Sequence, residues 1–274
     1  MLSFIVAACG DAGEDRRRPM PFAYALAGER ACDSPMPGGR DKHGAWRVVE
    51  GVLAFTVKAP ENYDPTRLHP LLVVYAPAGA SAMDTERYTR LTAPATRRGF
   101  VVAYVDHRPV NPRSVKALAA VAGGVARKWC IDAQRIYFAG HSDGGTVSTA
   151  LALMHETRGT ARAIAVSAAG MRPSDAGQFG CPQPLPVWLM HGSGDTHFPG
   201  WGAEMAAWWA QCNRCTGERG TADADGCAAY NGCAAGAPVV YCEVPMKHTQ
   251  WPGLQDRMTD FLLSDGRNRN EARQ

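Results

Sequence analysis

The stretch Gly140-His141-Ser142-Asp143-Gly144 constrains this chain more than any other. Before it runs Arg135-Ile136-Tyr137-Phe138-Ala139, whose β-branched residue and two aromatics predict a buried strand. After it Thr146, Val147, Ala150, Leu151 and Met154 recur at helical spacing, so a helix is expected to begin at the serine. A strand that passes straight into a helix here needs a bend tight enough to stand the serine hydroxyl clear of the sheet. Glycine two residues before and two after Ser142 removes the Cβ atoms that would meet the adjoining strand and helix. Such a bend is a nucleophile elbow. The free amides at its helix start favour negative charge on a nearby oxygen.

The surrounding pattern supplies a sheet for the bend to sit on. Trp46 to Lys58 predicts an edge strand or hairpin, and Leu71-Leu72-Val73-Val74-Tyr75 a central strand. Thr85 to Arg98 predicts a crossover helix interrupted by Pro94, Phe100 to Val105 the next strand, and Val115 to Trp129 a long helix. That makes two strand–helix units before the elbow, the alternation a parallel sheet requires. Beyond it, strands are predicted at Arg162 to Ser167, Leu185 to Met190 and Val239 to Val244. Helices are predicted at Trp201 to Gln211 and Leu254 to Leu263.

A serine hydroxyl is a poor nucleophile unless a base takes its proton. His248 follows the last predicted strand, in a loop placed to reach back over the sheet, and is the candidate base. The base needs a carboxylate to fix its tautomer. Asp195, in the loop His191-Gly192-Ser193-Gly194-Asp195 after the preceding strand, is the candidate acid, with Asp106 the weaker rival. The order Ser142, Asp195, His248 is the one an α/β-hydrolase uses. Two backbone donors must also face the developing oxyanion. The amide of Asp143 is expected to be one, and that of Ala80, beside Gly79 in the exit loop of the first central strand, the other. Trp201 and Trp251 flank these loops and are candidates for an apolar or sugar-facing substrate platform.

Size and charge fit this reading. With 274 residues the chain can bury a large core, and its net charge is +3. Its only dense basic run, Arg16-Arg17-Arg18 beside Asp11, Glu14 and Asp15, reads as a solvated leader or linker, not a nucleic-acid stripe. Nine cysteines include Cys9, at the end of the apolar Met1-to-Ala8 segment, where Val-Ala-Ala-Cys resembles a bacterial lipoprotein box. Export to the cell envelope or beyond, with a lipid anchor on Cys9, is therefore expected. The other eight are Cys32, Cys130, Cys181, Cys212, Cys215, Cys227, Cys233 and Cys242, an even set suited to disulfides in an oxidising compartment. Five crowd a segment rich in Gly, Ala, Asp and Asn, with little to bury. Zinc on Cys212, Cys215, Cys227 and Cys233 is the competing account, against which the last spacing counts. The expected organisation is a leader over 1–20, one domain over 21–266 with a cysteine-rich insertion at 212–238, and a polar tail over 267–274.

Four segments together resemble the secreted polyhydroxybutyrate-depolymerase-like and feruloyl-esterase-like α/β-hydrolases, bacterial lipoproteins included. They are Val57 to Asp64, Ile131 to Gly145, His191 to Asp195, and His248-Thr249-Gln250-Trp251-Pro252-Gly253. The resemblance implies a mostly parallel central sheet with helices on both faces, and places nucleophile, acid and base on Ser142, Asp195 and His248. It implies hydrolysis of a small or polymeric ester (hydroxyalkanoate, aryl-acyl or acetyl-sugar) through an acyl-enzyme, with no metal or organic cofactor. Two departures stand at the site. Ala78-Gly79 after Pro77 replaces the family's His-Gly, and one extra residue separates His248 from Trp251. A non-catalytic exported binding protein of the same fold, or a serine peptidase, is the alternative.

Overall fold

The computed structural model describes residues 53–264, the strand Ala45–Glu50, and Cys32, Pro35 and Gly38. Cys9, the leader and the polar tail lie outside the described residues. Among the described residues, nine strands form one sheet in the order β1-β2-β4-β3-β5-β6-β7-β9-β8. Six run parallel: β4 (Val101–Val105), β3 (His69–Tyr75), β5 (Ile131–His141), β6 (Ala163–Ser167), β7 (Val187–Gly192) and β9 (Val239–Val244). The hairpin β1 (Ala45–Glu50) and β2 (Leu53–Lys58) continues the sheet antiparallel at one edge, and β8 (Cys227–Ala229) does so at the other.

The core is divided by the pleat. Along β3, Leu71, Val73 and Tyr75 enter one apolar cluster while Leu72 and Val74 enter the other. The first cluster is covered by α3 (Pro112–Leu118), α4 (Ala120–Ala126), α5 (Asp143–Leu153), the short α6 (Pro173–Ala176) and α7 (Trp201–Cys212). The second is covered by α1 (Ala82–Thr89), α2 (Thr92–Arg97) and α8 (Gln255–Leu263), through residues such as Ala82, Ala95, Met258 and Leu262. Because both faces are covered, the central strands read as unbroken apolar runs.

Two sequence expectations are refined. The helix expected over Thr85 to Arg98 is two helices, broken at Arg90, which takes a left-handed φ of 53°. Pro94 thereby falls in the first turn of α2, where a missing N–H costs nothing. The helix expected over Val115 to Trp129 is likewise two, α3 and α4.

The cysteine-rich segment contains β8, three residues too short to show a pattern in sequence. Cys227 is bonded to Cys242 on the neighbouring β9, and Cys215 to Cys233 within the segment. Cys181 joins Cys212 at the end of α7, and Cys32 joins Cys130. All four thiols of the zinc alternative are therefore held in disulfides, which removes it. Among the described residues, no helix is long and apolar enough to cross a membrane.

Candidate active site

Ser142 stands between β5 and α5 at φ 52° and ψ −118°, a strained conformation for a residue with a Cβ. The surroundings hold it there. Its amide donates to Ser167 O on β6 at 3.0 Å, and its carbonyl accepts the Thr146 amide at 2.9 Å. A Cβ on Gly140 would lie 2.3 Å from the Gly144 carbonyl carbon, and one on Gly144 would lie 2.0 Å from Tyr75 O on β3. Both glycines are thus required by backbone approach, as the bend demands. Thr146, Ser148 and Thr149 are buried in α5, and each hydroxyl bonds back to the carbonyl four residues earlier.

Three strand exits bring the polar groups together. His248, from the loop after β9, has Nε2 3.0 Å from Ser142 Oγ and Nδ1 2.8 Å from Asp195 Oδ2. The carboxylate accepts, so Nδ1 carries the proton and Nε2 is left to accept from the serine hydroxyl. Asp195, 4% exposed, also receives the His197 and Phe198 amides on Oδ1 at 2.8 and 2.9 Å. Burial alone would raise this carboxyl, but the Phe198 amide, the His248 ring and the His197 amide outweigh it and hold it below its ordinary value. The acid and base loops are joined along their backbones. Ser193 N donates to Val244 O and Gly194 N to Met246 O, and a Cβ on Gly192 would lie 2.2 Å from Met246 O.

Two further histidines brace this arrangement. His141 is buried; its Nε2–H donates to His248 O at 2.7 Å and Nδ1 accepts from Ser167 Oγ at 3.1 Å. Burial, with His248 close by, pushes its pKa down to about 4, so the ring is neutral at neutral pH. His191, also buried, donates Nε2–H to Phe198 O at 2.9 Å and steadies the turn whose amides hold Asp195.

No family model matches the chain. It is 24% identical over 218 residues, 69% of its length, to feruloyl esterase B of Piromyces equi. The chain spans 40–41% of the length of the curated relatives it matches. Among solved structures it resembles the acetyl xylan esterase of Aspergillus awamori, at 13% identity with a TM-score of 0.62. That likeness covers 80% of this chain and 98% of the other. It also resembles the fluorophosphonate-binding serine hydrolase FphF of Staphylococcus aureus, at 12% identity with a TM-score of 0.60, over 80% and 97% of the two chains. The fold is that of the α/β-hydrolases.

On this hydrolase fold, Ser142, Asp195, His248 and the Asp143 amide meet at the carboxyl ends of β5, β7 and β9. Asp143 N is the first amide of α5 and precedes any intrahelical acceptor. Ala80 does not join them. Its amide donates to Pro77 O at 3.1 Å, closing a turn with Gly79 at φ 73°, and its carbonyl accepts the His107 amide. Asp106, the rival acid, instead accepts from the Ala82 amide at the start of α1. Trp201 is half-buried and stacks on Phe198, which meets the His248 ring edge-on. Trp251 is also half-buried, packed with Tyr88 and His141 against the second apolar cluster. The extra residue before Trp251 is taken up in a turn in which Gln250 N donates to Lys247 O and Lys247 N donates to Gln250 Oε1. Sequence reasoning assigned no part to His107, Phe198 or His191. Of these, His107 carried the better signal, since it exits a central strand beside Asp106.

Proposed function

We propose that this chain is a serine esterase that hydrolyses carboxylic esters through an acyl-enzyme. The continuous relay from Ser142 Oγ to His248 Nε2, and from Nδ1 to Asp195, carries the reading. Ser142 Oγ attacks the ester carbonyl carbon while His248 Nε2 takes the hydroxyl proton, and Asp195 stabilises the imidazolium. The tetrahedral intermediate collapses as His248 returns that proton to the departing alcohol. Water then gives its proton to His248 and attacks the acyl carbon; collapse of the second intermediate restores the Ser142 hydroxyl and frees the acid.

The Asp143 amide is one oxyanion donor in this reading. Pro77 has no N–H and the Ala80 amide is committed to the turn; of the amides left on the loop that follows Tyr75 we assign the second donor to Ala78. Tyr75 O and Ala76 O lie against Gly144 at the start of α5, which brings this loop to the elbow.

Kinship with the polyhydroxybutyrate-depolymerase-like and feruloyl-esterase-like enzymes is supported by the four quoted segments and by the feruloyl esterase relative. Export is supported by four disulfides, and anchoring through a lipid on Cys9 by the Val-Ala-Ala-Cys segment alone. We read residues 21–266 as one catalytic unit. The test is hydrolysis of p-nitrophenyl acetate by the wild type and by Ser142→Ala of matched thermal stability. Turnover is expected to vanish in the variant; equal rates would remove the assignment.

A further inference from the structure

Among the described residues, Arg172 at the rim of the site forms no ion pair. Arg172 lies in the exit loop of β6, exposed, with its guanidinium carbon 4.5 Å from the centre of the Trp201 ring. Trp201 stacks on Phe198, with centroids 4.7 Å apart and planes 25° from parallel. Phe198 in turn meets the His248 ring at 5.0 Å and 87°. Gly170, two residues before Arg172, lets this loop close on the wall, since a Cβ there would lie 2.7 Å from the Phe198 ring. A continuous aromatic surface therefore runs from the imidazole of His248 to the guanidinium of Arg172.

Stacking engages the face of a guanidinium and leaves its in-plane N–H fork open, the geometry that receives a carboxylate edge-on. Among the described residues no carboxylate forms an ion pair with Arg172. The nearest in sequence, Asp175, accepts from the Arg172 backbone amide at 2.9 Å, and Glu204 in the first turn of α7 forms no ion pair with it. Contact with the indole restricts the guanidinium, which lowers the entropy lost when an anion docks.

We infer that Arg172, Trp201 and Phe198 form a subsite for esters that carry a carboxylate on a planar apolar body. The body lies against the exposed edges of the stacked Phe198 and Trp201 rings and the carboxylate docks on the guanidinium. Because His248 protonates the leaving alcohol, the wall beside it takes the alcohol portion. This inference rests on the esterase reading above.

The test compares 4-acetoxybenzoate with 4-acetoxybenzamide, which share the acetyl group and the phenol leaving position and differ in charge. The wild type is expected to favour the carboxylate in kcat/KM by about threefold to tenfold at low salt, as one charge-assisted contact at a partly exposed site allows. Arg172→Gln is expected to bring that ratio toward one, with Arg172→Lys between them, and added salt to do the same in the wild type. A wild-type ratio of one, or a ratio unchanged by Arg172→Gln, overturns the subsite. Quenching of tryptophan fluorescence by 4-acetoxybenzoate in Ser142→Ala reads binding without turnover. If neither ester is hydrolysed yet Arg172→Gln weakens this binding, the subsite stands and the esterase reading falls. If Arg172→Gln leaves binding unchanged, the subsite falls.

Discussion

His107 Nε2 lies 3.0 Å from Asp143 Oδ2, tying the exit of β4 to the residue immediately after Ser142. The His107 amide also donates to Ala80 O at 3.0 Å, so one residue touches both flanks of the proposed oxyanion site. Without its partner, the Asp143 carboxylate would stand free beside the amide proposed to receive negative charge. The ring N–H fixes where that carboxylate points.

His107→Ala is therefore expected to lower kcat on p-nitrophenyl acetate by about tenfold with little change in KM, since the loss is one of alignment in the transition state. His107→Gln, which keeps a donor, should recover part of it. Steady-state kinetics on both variants, with matched melting temperatures, checks the split. A rise in KM alone would assign His107 to substrate binding instead.

Asp195→Asn should reduce kcat by about 10⁴-fold while leaving the elbow intact, because an amide in place of the carboxylate stabilises the wrong tautomer of His248. The carboxyl has a folded-state pKa below its ordinary value, so it adds stability that is complete above about pH 4 and is lost as pH falls further. Urea titrations at pH 7 and pH 3 should show the wild type's advantage over Asp195→Asn shrinking at the lower pH.

The sheet and the three catalytic candidates were legible in the chain because each rests on a local pattern. Apolar runs such as Leu71 to Tyr75 mark strands buried on both faces, and Ser142, Asp195 and His248 each follow such a run. The oxyanion donor of this loop is not legible in the same way, since turn closure decides which amide is free. A hydrogen bond from Ala80 to Pro77 is not encoded in spacing. The packing of Trp251 is not legible for a related reason: the side a half-buried indole faces depends on Tyr88 and His141, remote in sequence. The strand at Cys227 was invisible because its pairing with β9 and its disulfide, not any alternation of its own, hold it there.

His141 should make the fold acid-sensitive well above the carboxylate range. Its folded pKa of about 4 lies below the ordinary histidine value of 6.5, so the unfolded chain binds the extra proton first. Stability is then full above pH 6.5 and falls as pH drops toward 4, by on the order of 3 kcal/mol from this group. His191, also lowered by burial, contributes with the same sign. His141→Gln keeps a donor for His248 O but does not titrate, so the difference between wild-type and variant urea titrations from pH 7.5 to pH 4.5 isolates the effect. A difference that does not change with pH would show that His141 is solvated in the fold.

Ala78→Pro tests the oxyanion assignment by deleting the proposed donor, its ring Cδ standing where the N–H was. Pro77 to Ala80 is a four-residue turn closed by Ala80 N to Pro77 O, with Gly79 third and left-handed, the arrangement of a type II turn. Proline is favoured at the second position of such a turn, so the backbone can keep its course while the Ala78 N–H is deleted. Loss of one oxyanion donor is expected to lower kcat by about 10²- to 10³-fold with KM nearly unchanged. Gly79→Ala makes the contrast: its Cβ would meet nothing within 4 Å, but φ 73° strains it by roughly 1–2 kcal/mol, a cost in stability that leaves the Ala78 amide in place. A large kcat loss in Ala78→Pro with its melting temperature preserved supports the donor; full activity in that variant assigns the second donor elsewhere in the loop.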